Sequence, residues 1–483
     1  MIRPAELTEA ALAASKADGC IVLLTDTSEA NLRWANNTMT TNGHTTTRSF
    51  SVISVVEGAG RSAVGPSIGT VRGNGVDLDE VRAVVAASEE AARQSGPARD
   101  AAPLVEGPAD GDFDAPAAAT EIGVFARLAD ELATAFGDSR GRIAGSAGGG
   151  RIAGSAGGGQ LLYGFAQHRL DTTWLASSTG LRRRWVQPTG TVEINGKVAD
   201  DLTRSAWAAA YTADFTDLDL TALAAEVRRR LSWSQRRLEL PAGRYETILP
   251  PAAVADLMID LASSMEGRPA HEGRSPWTAP AGSSSPTRLG ERLTNLPLML
   301  SSDPAAPGLT TAPFLATSFS SDSVSVFDNG SPARRVDWLR DGTVNALAYP
   351  RAAAAELGGQ FTPPPENLVL TGGSSASTDD LVARTERGLL LTCLWYIREV
   401  DPTSLLLTGL TRDGVYLIED GEVVGQVNNF RFNESPIDLL HRASEVGATE
   451  GTLCRESKDW FVRTSMPPVR VPDFNMSSVS QAS

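Results

Sequence analysis

The stretch "YETILPPAAVADLMIDLASSM", Tyr245 to Met265, sets two opposite patterns side by side. The opening "YETILP" is short and apolar with β-branched residues, which predicts a strand. After the paired prolines, Val254, Leu257, Met258, Leu261 and Met265 recur at steps of three and four, the spacing of one helix face. Pro251 stands in the first turn, where its missing N–H costs nothing. A strand delivering straight into a buried helix is therefore expected here. Just beyond it lies His271-Glu272, and the pair raises the question of whether this helix belongs to a zinc site.

Downstream, the chain from Gly267 to about Leu293 is polar and proline-bearing. The remainder carries strand patterns at "SVSVFDNG", "TVNALAY", "LLLTCLWYIREV" and "GVYLIEDGEVVG", with one helix signal at "STDDLVARTERG". These predict a C-terminal, β-rich, mostly antiparallel domain over residues 241–483.

Upstream, a helix pattern at "AELTEAALAAS" precedes three strand-like runs, "CIVLLTD", "NLRWANNT" and "TTTRSFSVISVV", with Asn42-Gly43 as the expected hairpin turn between the last two. A helix capped near Asp77 follows at "DLDEVRAVVAASEEAARQS", so the first 95 residues read as a small α+β unit. An exposed acidic loop is expected over residues 96–118. The helix "TEIGVFARLADELATAFGDS" then leads into a Gly-rich loop, residues 141–159, in which RIAGSAGGG occurs twice in tandem. No Lys-Ser/Thr follows that glycine run, so it is not a phosphate-binding P-loop. Short strands return at "LLYGFAQHRLDTTWLASSTGLRRRWVQPTGTVEINGKV", and helical segments are expected from about Asp201 to Arg237. Residues 1–240 thus read as an N-terminal α/β domain with a mixed sheet and helices. The whole chain is α+β.

Composition narrows the function classes. A chain of 483 residues with 41% apolar content builds more than one core. A net charge of -15 argues against nucleic acid as a partner, because phosphate binding needs a concentrated positive face. Arginines do stand beside tryptophans in "GLRRRWVQ" and "EVRRRLSWSQRRLEL", and the second run fits a helix with one solvated side. No apolar run approaches the length of a membrane span, and the N-terminus lacks a leader pattern, so a cytoplasmic protein is expected. Cys20, Cys393 and Cys454 are far apart in sequence, without CxxC spacing, which fits a reducing compartment.

The residues that could carry chemistry are few. Zinc needs converging ligands, which on a helix means histidines about one turn apart. The four histidines, His44, His168, His271 and His441, include no such pair. Cys393 sits inside an apolar run and reads as a small core residue. Cys454, beside Arg455, is the better thiolate candidate, although no base lies close in sequence. "TGGSSAS", Thr371 to Ser377, reads as a helix cap. No GxSxG turn occurs.

Several stretches, taken in order, resemble the TldD/PmbA family of gyrase modulators and peptide-maturation proteases: "RWANNTMTTNG", the strand block around "SSTGLRRRW", "LPAGRYETILPPAAVADLM", and "RTERGLLLTCLWYIREVDPTSLLLTGLTRDGVYLIEDGEVV". That family has subunits with HExxxH on the helix after the strand and subunits without it. Placed in that register, Ile259, Asp260 and Ser264 occupy the His, Glu and His positions, so the resemblance is to the metal-free, PmbA/TldE-like type, and Cys454 falls about where the catalytic type has a further cysteine ligand. The resemblance implies no catalytic or metal-ligating residue and no cofactor in this chain. It also implies zinc in a TldD-like HExxxH partner subunit, a heterodimer or larger, and peptide hydrolysis on small or unfolded peptides. Arg387, Gly388 and the strand through Cys393 to Tyr396, together with Cys454, are the candidate cavity and peptide contacts, with a peptide adding to an exposed strand edge. Two rivals stay open: a metal-independent cysteine hydrolase using Cys454 with His441, and a non-enzymatic peptide-binding homodimer.

Overall fold

The structure, a computed structural model, describes residues 2–58, 65–74, 77–144 and 159–480. Most of the duplicated nonapeptide lies outside the described residues. The N-terminal half is built on six long strands: β1 (Gly19–Ala35), β2 (Thr38–Val56), β3 (Ser67–Gly73), β4 (Gln160–Ser177), β5 (Arg182–Val198) and β6 (Asp201–Thr212), in the order β3-β2-β1-β4-β5-β6. Every neighbouring pair is antiparallel, so this sheet is not the mixed one expected for residues 1–240. Tight turns join β1 to β2, β4 to β5 and β5 to β6, and such turns join only antiparallel strands.

Strand alternation divides the sheet's two faces. Val22, Leu24, Leu32 and Trp34 of β1 point to one side, where helices α1 (Pro4–Ala14), α2 (Leu78–Gln94), α3 (Ala126–Ala144) and α4 (Leu220–Trp233) cover them with Leu7, Val81, Leu132 and Val227. Ile21 and Leu23 point to the other side and meet Leu104, Phe314 and Phe327. Asp77 caps α2 as expected, accepting the N–H groups of Asp79 and Glu80.

Four sequence expectations need correction. The hairpin turn is at Asn36-Asn37, both at positive φ (52° and 57°), while Asn42 and Gly43 lie inside β2 opposite Leu32 and Asn31. Both dipeptides tolerate that conformation, and the tie is broken by packing: carrying β1 on to Ala35 buries Leu32 and Trp34, and the Asn37 side chain bonds both Leu162 N–H and the Gln160 carbonyl. The first 95 residues are not a separate unit, because β1 pairs along its length with β4. Asp201–Thr212 is a strand, since pairing with β5 overrides the helical propensity of its alanines. Residues 96–118 have no helix or strand of their own but are not a free loop. Asp110 accepts from Arg183 Nη1 (3.1 Å) and Arg184 N–H (3.0 Å), Asp112 from Arg184 Nη1 (2.8 Å), and the buried Phe113 carbonyl accepts from Trp174 Nε1 (2.8 Å). Arg183 and Arg184 of the run after Gly180 thus strap this segment down, while Arg182 pairs with Glu9 of α1.

The C-terminal half holds a six-stranded and a ten-stranded sheet, mostly antiparallel, and "YETILP" contributes Gly243–Leu249 to the interior of the larger. "SVSVFDNG" forms only a 3-10 turn at Val326–Asp328. "LLLTCLWYIREV" breaks at Thr392-Cys393 into an interior strand, Arg387–Leu391, and an edge strand, Leu394–Asp401. The expected helix α5 runs from Pro251 to Ser263 through the middle of the core. Among the described residues no helix is long and apolar enough to cross a membrane.

Candidate functional site

Helix α5 is buried nearly all round, as a helix apolar on every face must be. Two carboxyls one turn apart interrupt that apolar surface. Asp256 is fully buried and accepts three backbone N–H groups from one loop, those of Arg455 (3.1 Å), Glu456 (2.9 Å) and Ser457 (3.2 Å). Burial pushes its carboxyl up to about 7, outweighing those three donors, and Asp260 adds to the rise. Asp260 is also pushed up to about 7, first by burial and then by the charges of Glu399 and Glu456. It lines a surface cavity of about 300 Å3 together with Ser264, Glu266, Arg274, Asp322 and Glu399.

The loop held by Asp256 reaches across to the edge strand. Glu456 accepts the Tyr396 N–H (2.8 Å) and pairs with Arg398 (3.0 Å), whose guanidinium lies 4.2 Å from the Tyr396 ring centroid. Arg455 turns the other way, between the rings of Trp207 on β6 (4.8 Å) and Trp395 on the edge strand (5.0 Å), with Asp413 and Glu193 at 3.5 and 3.8 Å. Lys458 completes the group by pairing with Glu193 at 2.9 Å.

The structure thus gathers Asp260, Cys393, Tyr396 and Cys454 around one loop and leaves Arg387 and Gly388 elsewhere. Arg387 is exposed at the far end of its strand, 3.9 Å from Glu419, and Gly388 is packed so closely that a Cβ there would fall 2.8 Å from the Glu246 carbonyl oxygen. The exposed edge is Leu394–Asp401, not Arg387–Leu391, and its Tyr396 end is closed by Glu456 and by a positive φ of 55°. Both thiols are poor nucleophiles in place. Cys454 is fully buried, donates to the Phe461 carbonyl (3.3 Å), and is raised well above the ordinary thiol range by burial and by Asp256. Burial pushes Cys393 up to about 12. His441 is exposed, with Nδ1 on the Leu293 carbonyl (3.1 Å).

A zinc ion does not fit the motif positions on α5. Ile259 has no lone pair and is fully buried, and the Ser264 hydroxyl donates to the Leu261 carbonyl (2.7 Å) while accepting from Trp277 Nε1 (3.0 Å). Among the described residues no three His, Cys, Asp or Glu side chains converge in a way that could hold a metal. His271 ends a short helix against Tyr349, and Glu272 is paired with Arg268, Arg274 and Arg99. Asp256, Glu399 and Glu456 escaped the sequence reading. The signal for the first was available: two aspartates a turn apart inside "VADLMIDLA".

Residues 242–478 match the profile of the PmbA/TldA metallopeptidase C-terminal domain. Comparison with curated protein sequences gives no match. Among solved structures, the fold is similar to TldE from Thermococcus kodakarensis, at 15% identity and a TM-score of 0.73 over 97% of this chain and 98% of that one. It is also similar to a proposed modulator of a DNA gyrase from Thermotoga maritima, at 16% identity and a TM-score of 0.72 over 97% of this chain and 99% of that one. The strand-to-helix unit, the two β sheets around it and the profile match agree, and the chain belongs to the PmbA/TldD family.

Proposed function

We propose that this chain is the non-catalytic, TldE-like subunit of a heteromeric TldD/TldE-type zinc metallopeptidase acting on small or unfolded peptides in the cytoplasm. The observation that carries the reading is the state of α5. Where an HExxxH helix would offer two imidazoles, this one offers a buried isoleucine and a serine whose hydroxyl is occupied on both sides. A zinc ion supplies the attacking hydroxide by lowering the pKa of its bound water, and a chain without the ligands does not generate that nucleophile. The partner subunit would hold the zinc, and this chain would contribute cavity wall through the edge strand and the 454–457 loop. The acidic charge fits a partner other than nucleic acid.

The test is metal analysis and peptide hydrolysis on the purified chain, alone and mixed with an HExxxH family member encoded beside it. The expected result is no stoichiometric zinc and no cleavage alone, with cleavage restored on mixing. One tightly held zinc per chain, or turnover by the chain alone, would overturn the reading. The cysteine hydrolase rival predicts turnover lost on thiol alkylation, and the buried, protonated Cys454 argues against it.

A further inference from the structure

The outer edge of β2 is covered by β3 only from Phe50 to Val56. From Thr41 to Thr47 the strand "TNGHTTT" pairs with β1 in unbroken register, and no strand among the described residues lies on its other side. Its side chains are exposed throughout, with Gly43 alone half-buried. An open strand edge presents a row of backbone donors and acceptors to any second strand. Proteins ordinarily blunt such edges with lysine, proline, bulges or short length. None of these devices interrupts Thr41–Thr47: it has no charged residue and no proline, and the irregularity in the hairpin falls before it, between Arg33 and Trp34. Its one titratable side chain, His44, faces Ser28 Oγ at 3.2 Å.

We propose that Thr41–Thr47 is a dimer interface, at which a second copy of this chain pairs antiparallel with the same segment to make one sheet continuous across two molecules. Two-fold pairing sets a segment against itself, so any lysine or glutamate in it would meet its own like charge or lie close to it. This segment brings threonine, asparagine and glycine to itself, and threonine pairs across strands are favourable. The rest of the molecule, at a net charge of -15, repels its copy, so this uncharged strip is where two chains approach at least cost. A strand edge alone buries less than the ~1,600 Å2 of a standard stable interface, so the dimer forms reversibly and depends on concentration. The inference does not rest on the proposed peptidase role.

Sedimentation of the purified full-length chain over a concentration series tests it. The mass is expected to rise from 50.9 kDa toward twice that value. The double variant T41K/T45K, both positions exposed, should abolish the rise while leaving the thermal unfolding midpoint unchanged. Amide hydrogen exchange should slow with concentration at Thr41–Thr47 in the parent chain. A parent chain monomeric at every concentration, a double variant that still dimerises, or exchange at these amides that ignores concentration would each overturn the proposal.

Discussion

Replacing Asp260 with asparagine keeps the side chain's shape and removes its charge, and the consequence for stability can be worked out from its surroundings. In the unfolded chain this carboxyl loses its proton near 3.8, and in the fold, between burial, Glu399 and Glu456, it holds the proton to about 7. Below 3.8 it is neutral in both states and costs nothing. Between the two values folding takes up a proton, so stability falls as pH rises, at about 1.4 kcal/mol per pH unit. Above 7 the charge is carried in both states and the penalty is complete. The full interval corresponds to about 4 kcal/mol, and access to solvent through the adjoining cavity lowers this to roughly 1–3 kcal/mol. Asp260→Asn should therefore match the parent chain at pH 4, gain over it steadily from pH 5 to about 7, and hold that gain, a few degrees in the unfolding midpoint, at pH 8. A residual fall with pH should persist in the variant, because Asp256 is raised as well. Circular dichroism melts of both proteins across this range decide the matter. Midpoints that run parallel from pH 4 to 8 would refute the account of a carboxyl held neutral by its setting.

Two further outcomes are expected. Cys20, Cys393 and Cys454 are all buried, so iodoacetamide at pH 8 should label none of them in the native chain and three after denaturation, as counted by intact mass. Replacing both Arg183 and Arg184 with alanine removes the ion pairs to Asp110 and Asp112, and limited proteolysis should then cut within residues 96–118 several times faster, with the C-terminal half unaffected.

How much of this was legible in the chain differs by element, for physical reasons. The strand and helix of Tyr245–Met265 could be read because their apolar periods are local and uninterrupted. The Asn36-Asn37 turn could not be separated from Asn42-Gly43 by turn chemistry, since both satisfy it; the deciding fact was the burial of Leu32 and Trp34 against helices distant in sequence. The alanine-rich run Ala206–Ala210 reads as helix by propensity, and only the presence of β5 alongside makes it a strand. The candidate site was half visible. Cys393, Tyr396 and Cys454 do come together with Asp260, but what organises them, Asp256 gripping the backbone at Arg455–Ser457, joins residues some two hundred positions apart and leaves no mark on either stretch alone. Arg387 and Gly388 entered through the resemblance of their segment to the family stretch nearest the active site, and the strand break at Thr392-Cys393 carries them away from the edge strand.

Arg455 is wedged between an indole from each half of the molecule. Sliding β6 past the edge strand by even a few ångströms would strip one aromatic face from the guanidinium and leave a desolvated cation without its cushion. The stacked trio works as a shear pin. It ties the alignment of the two halves to the seating of a single guanidinium.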